Sequence, residues 1–106
     1  MRVLFDQGTP VPLRKALSNH SVSTAYELGW ATLKNGELLS SAEAEGFEVL
    51  VPTDTNLRYQ QDLSIRKIAI IVLSTTSWPR IRVVLENVTL AVSSASVASY
   101  AEVFIP

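Results

Sequence analysis

The stretch Ile68-Ala69-Ile70-Ile71-Val72-Leu73 is the strongest constraint in this chain. Six apolar residues in a row, four of them β-branched, leave no polar face to turn toward water. A strand of this kind is stable only where both faces of a sheet are covered, which is the situation of a strand inside a parallel α/β sheet. At six residues it is far short of the roughly 20 apolar residues a membrane span needs. The rest of the chain is consistent with that frame. Val3-Leu4-Phe5 ends at the turn formers Asp6-Gln7-Gly8-Thr9-Pro10, and Phe47 to Val51 ends at Pro52-Thr53-Asp54-Thr55-Asn56. His20 to Ser23 and Tyr100 to Ile105 are predicted as a second strand and a final edge strand.

Helical spacing fills the intervals between these strands. Pro10 and Pro12 suit the first turn of a helix carrying Leu13, Ala16 and Leu17 on one side. Thr24 to Leu28 is predicted as a short helix stopped by Gly29. Asn35 is the predicted N-cap of the next helix, with Glu37 in its first turn, Leu38, Leu39 and Ala42 on its apolar face, and Gly46 closing it. Ser74 to Ser77 forms a polar loop. Pro79 opens a last long helix with Ile81, Val84, Leu85 and Val88 on one stripe. Strands alternating with helices at these lengths predict one domain over residues 1–106, a three-layer α/β fold with a mostly parallel sheet flanked by helices.

Composition narrows the chemistry. The chain has 106 residues and no cysteine, which removes disulfides, thiolate metal sites and thiol nucleophiles. A single histidine, His20, removes histidine-rich metal sites and has no triad partners beside it. Nine Lys plus Arg against ten Asp plus Glu give a net charge of −1, so nucleic acid is not held by overall charge. The hydroxyl-rich Ser74–Ser77 loop has no adjacent base, and the four glycines are too scattered for a phosphate loop. The N-terminus has no signal-peptide pattern, because Asp6 interrupts its apolar run, and the expected compartment is the cytoplasm. A mean hydropathy of +0.22 points to apolar surface covered by a partner or a second copy, or to dense packing in the monomer.

In a parallel α/β sheet, ligands collect beyond the carboxyl ends of the strands. Asp6 ends the first strand, Asp54 follows the Phe47 strand, and Glu37 lies at the start of the helix leading into that strand. Three carboxylates at one sheet edge suit Mg²⁺ or Mn²⁺, which would activate a water and steady charge on a phosphodiester oxygen. Each residue also has an ordinary structural role, as a turn former, an N-cap or a helix-dipole partner. Arg58, Arg66, Lys67, Arg80 and Arg82 are candidates to hold a nucleic-acid backbone if they face that edge. Solvated helix faces are the alternative. Tyr59 is a candidate to stack on a base, or to cap the core.

Together, Val3–Gln7, Asn35–Leu39, Gly46–Val51, Asp54–Gln61 and the stretch from Ile68 to Trp78 resemble short bacterial PIN-like proteins, in order and spacing and over nearly the whole chain. The resemblance implies a PIN-like fold and a nuclease or hydrolase activity. The expected protein is a Mg²⁺- or Mn²⁺-dependent endoribonuclease, the toxin component of a toxin–antitoxin pair, acting on RNA with a cognate antitoxin as partner. By it, Asp6, Glu37 and Asp54 are the catalytic metal ligands. Asn35 and Asn56 are amides that position substrate or ligands, joined by Thr53 and Arg58 in that role. One position departs from the pattern. The Thr of the Thr-x-Asp element falls on Pro52, which removes a hydroxyl and a backbone donor, with Thr53 or Thr55 the candidates to replace them. The alternative is a catalytically degenerate PIN-like module acting by protein–protein binding. Under either reading the chain is expected to form a homo-oligomer through an apolar helix face or the terminal strand, with no membrane association.

Overall fold

The computed structural model describes residues 1–106. Five strands form one sheet: β1 (Arg2–Phe5), β2 (Ser21–Thr24), β3 (Val49–Val51), β4 (Ala69–Leu73) and β5 (Tyr100–Val103). Their order is β2-β1-β3-β4-β5 and every pairing is parallel. The expected three-layer α/β architecture is therefore present, with a sheet that is wholly rather than mostly parallel. Four α-helices accompany it: α1 (Asn35–Ala44), α2 (Leu57–Gln60), α3 (Trp78–Ile81) and α4 (Leu85–Ser93). No helix is long and apolar enough to cross a membrane.

Alternation along the strands sorts the core into two layers. Val3, Phe5, Val49, Val51, Ala69, Ile71, Leu73 and Val103 point to one face, where Leu13, Leu17, Ile81, Val88 and Val92 pack on them. Leu4, Leu50, Ile70 and Val72 point to the second face, under Leu38, Leu39 and Ala42 of α1 and Leu57 of α2. All five residues of β4 are buried, as its unbroken apolar sequence requires.

The connections do not all have the same hand. From β1 the chain steps to β2 across the first face, through a 3₁₀ segment over Val11–Leu17. It then steps the other way, to β3 and on to β4, across the second face through α1 and α2. These three crossovers share one hand. The step from β4 to β5 continues in the same direction, but α3 and α4 lie on the first face. A step in the same direction on the opposite face has the opposite hand. About 98% of such crossovers are right-handed, which makes β4–β5 the exception. The physical reason lies in the first face. Without α3 and α4, the apolar side chains of β3, β4 and β5 on that face would be left to one 3₁₀ segment, at about 1.5–3 kcal/mol for each large side chain left in water.

Three local expectations are corrected. Lys34, not Asn35, is the N-cap of α1; Asn35 is its first helical residue, and its side chain is drawn out to other partners. Thr24 ends β2, and residues 25–29 form turns rather than a helix. The last helix is broken: a 3₁₀ turn over Arg82–Val84 separates α3 from α4, and Val84 sits outside the helical region at φ −121°, ψ 32°. Two adjacent valines, each restricted at χ1, favour a break at that point. Gly46 closes α1 as expected, at φ +80°, a conformation that favours glycine.

Candidate functional site

In a 2-1-3-4-5 sheet the strand order reverses between β1 and β3, and the crevice beyond their carboxyl ends is where this class of sheet binds ligands. The end of β1 carries Asp6, Gln7, Gly8 and Thr9, and the end of β3 carries Pro52, Thr53 and Asp54. The two loops are in close contact. A Cβ on Gly8 would lie 2.7 Å from Thr53 Oγ1 and 3.5 Å from Thr76 Cγ2, so only glycine lets the loops after β1, β3 and β4 meet there.

Thr9 supplies a side-chain hydrogen bond at the end of β3. Its buried hydroxyl donates to the Val51 carbonyl at 2.6 Å. Pro52 is itself buried, and its carbonyl accepts from the Leu73 N–H at 2.9 Å, tying β3 to β4. Thr9 stands inside the run of turn formers that follows β1, and its only signal was a polar residue before a proline.

Asp54 is held from two sides. Its Oδ1 accepts from the Asn56 N–H at 2.9 Å, and its Oδ2 accepts from Asn35 Nδ2 at 3.0 Å. The same Asn35 amide reaches Gln60 Oε1 at 3.5 Å. The start of α1, the Asp54 loop and α2 therefore form one polar network. Asp6 accepts the Gln7 N–H on Oδ1 at 2.6 Å and lines a hollow of about 300 Å³ on the β2 side, together with Thr24, Tyr26 and the paired Arg14 and Glu27. Glu37 is placed differently. Its Oε1 accepts the Lys34 N–H at 3.2 Å, so it caps its own helix. No group of three or more His, Asp or Glu side chains is arranged to hold a metal ion.

The basic residues divide among distinct tasks. Arg66, whose side chain is only 14% exposed, pairs with Glu43 at 3.0 Å and also bonds Ser40 Oγ and the Gly36 carbonyl along α1. Burial raises the Glu43 carboxyl, but the Lys67 N–H, the Arg66 guanidinium and the Ile68 N–H all donate to it, and the net effect holds it below the usual carboxylate range. Lys67 lies before β4, at the edge of the sheet opposite the aspartates. Arg80 donates to the carbonyls of Ile105 and Pro106, both at 2.9 Å. Of these candidates, Arg66 and Arg80 are engaged in ties within the fold, and Lys67 lies at the edge of the sheet away from the aspartates. Arg82 lies in the 3₁₀ turn between α3 and α4.

Arg58 is the exception. Its guanidinium lies 4.7 Å from the centroid of the Tyr59 ring and 3.6 Å from Glu102 of β5. The Tyr59 hydroxyl bond and nearby negative groups raise the Arg58 pKa further. Tyr100 donates its hydroxyl to Glu102 at 2.9 Å, and burial together with that bond pushes it up to about 12. Tyr59 does not cap the core; it is 72% exposed.

Comparison with protein-family models, with curated proteins and with solved structures finds no match to this chain.

Proposed function

We propose that this chain is a PIN-like, divalent-metal-dependent endoribonuclease acting in the cytoplasm, the toxin of a toxin–antitoxin pair. The observation that carries this reading is the pair Asp6 and Asp54, which follow adjacent parallel strands at the one point where the strand order reverses. The donor set suits a hard cation. Mg²⁺ is commonly held by one or two carboxylates, with water and substrate phosphate filling the other positions, so Glu37 need not join them. Asp6 has one carboxylate oxygen with no bond to its own chain, and both Asp54 oxygens are bonded by N–H donors, which orient the group. A cation bound there would supply positive charge to the scissile phosphate and lower the pKa of a water. The chain's own residues do the positioning. Asn35 and Asn56 fix Asp54, the Gln7 N–H fixes Asp6, and Gly8 against Thr53 keeps the two strand ends close.

The test is RNA cleavage titrated with Mn²⁺ or Mg²⁺, for the parent chain, Asp6→Asn and Asp54→Asn. Cleavage is expected to depend on the metal and to fall by at least a hundredfold in each variant. Equal cleavage by all three removes the proposal.

A second reading, a non-catalytic PIN-like binding module, is favoured by one observation: the Glu37 carboxylate is engaged within its own helix. It predicts no metal affinity in the physiological range by isothermal calorimetry, together with a stable complex with a partner protein.

A further inference from the structure

We infer that the uncovered side of β5, together with α2, is a surface on which bases of single-stranded RNA stack. Because α4 crosses on the first face, the second face of β5 has no helix over it. Val103 and Ile105 are buried on the first face, so Tyr100, Glu102 and Phe104 alternate onto the open one. Tyr100 is half-buried against the core of that face, whereas Phe104 is 78% exposed. Beside them α2 presents the exposed Tyr59 ring, and the Arg58–Glu102 pair at 3.6 Å links the two elements. Two aromatic rings left in water, one of them held by a guanidinium and an ion pair, supply apolar contact area at low cost in conformational entropy.

The surface is continuous with the candidate site. Thr55, the residue after Asp54, lines a cleft of about 170 Å³ with Val72, Glu102 and Phe104. A strand whose phosphodiester lies at Asp6 and Asp54 has its neighbouring bases within reach of that cleft. The aromatic faces select the form of the nucleic acid. Bases in a duplex already have both π-faces stacked, so only unpaired bases can use Tyr59 and Phe104. The only charges these two elements carry are Arg58 and Glu102, which are joined to each other, so stacking rather than phosphate neutralisation supplies the affinity. This inference takes the identity of its ligand from the ribonuclease reading.

The test measures fluorescence anisotropy of a dye-labelled single-stranded oligouridylate with the full chain in EDTA, where metal-dependent cleavage is silent. Tyr59→Ala and Phe104→Ala are each expected to weaken binding by about 5- to 150-fold. Phe104→Trp should keep it, and Leu90→Ala, an exposed apolar residue of α4, should leave it unchanged. The slope of log affinity against log salt is expected near about −0.7 to −1.4, one or two phosphates' worth. No binding by the parent, equal binding by the alanine variants, equal affinity for duplex RNA, or a steeper slope overturns the inference. So does sedimentation in which the chain pairs with itself and Phe104→Ala alone dissociates it, since that assigns the surface to a second copy. If the expected binding pattern holds but no metal supports cleavage, the nuclease reading falls and this one stands. The reverse result separates them the other way.

Discussion

The two faces of the sheet are covered by different means. On the first, α4 lies across the strands and the 3₁₀ segment fills the β1–β2 end, so apolar side chains from β1 to β5 are under cover. On the second, α1 and α2 cover β1, β3 and β4 but stop short of β5, leaving Phe104 in water. The first face holds the larger apolar cluster, with polar ties from Arg80 to the Ile105 and Pro106 carbonyls and from Arg14 to Glu27. The second is fastened at its margins by polar ties: Glu43 to Arg66 and the Lys67 and Ile68 N–H groups, Asn35 to Asp54, and Arg58 to Glu102. The difference teaches that one helix crossing with the unusual hand closes a core on one side and opens a surface on the other. The opened side is the one beside the candidate site.

This contrast can be broken by substitution. The largest effect is expected at Ile71, fully buried beneath α4: Ile71→Ala should cost about 2–5 kcal/mol in urea unfolding. A loss below 1 kcal/mol would mean that α4 does not close the first face. Glu43→Ala strips the acceptor from Arg66 and two backbone N–H groups and should cost about 1.5–3 kcal/mol by the same measurement. The depressed Glu43 carboxyl also sets a pH window. Its contribution is complete above the ordinary glutamate value of about 4.3 and is lost as pH falls through its lower folded value, so Glu43→Gln should flatten the acid limb of the stability curve.

At the alkaline end the sign reverses. Tyr100, raised to about 12, contributes below the free tyrosine value of about 10, and that contribution is lost as pH rises toward 12. Tyr100→Phe should remove this alkaline fall in a pH series of urea midpoints. Gly46→Ala should cost about 1–2 kcal/mol, because φ is +80° there and a Cβ would also lie 3.2 Å from the Arg2 guanidinium. The smallest effect is expected at Phe104, where alanine should change stability by no more than about 0.5 kcal/mol. A cost there equal to that of Ile71→Ala would show that the second face is not open.

The strands were legible because each announces itself locally. The continuous apolar run predicted β4, and turn formers marked the ends of β1 and β3. Asp6 and Asp54 were legible for the same reason, since a polar residue after a strand lands at its carboxyl end whatever the rest of the chain does. Glu37 was placed correctly in the first turn of its helix, but its bond to the Lys34 N–H depends on cap geometry that residue type alone does not specify. The tasks of Arg66 and Arg80 were not legible, because their partners lie 23 and 25 residues away in the chain. Thr9 was missed on the same ground: its acceptor is the Val51 carbonyl, 42 residues on.

By itself, the sequence determined that this chain would build a parallel α/β sheet and would set aspartates after two of its strands, because strand burial and strand ends are governed by neighbours along the chain. Only the tertiary structure decided that those two strands lie side by side at the reversal of strand order, that Thr9 supplies the hydroxyl at the end of β3, and that α4 takes the first face and leaves Phe104 open. These outcomes depend on which face each crossover takes, and that is set by the need to bury apolar side chains from every strand at once.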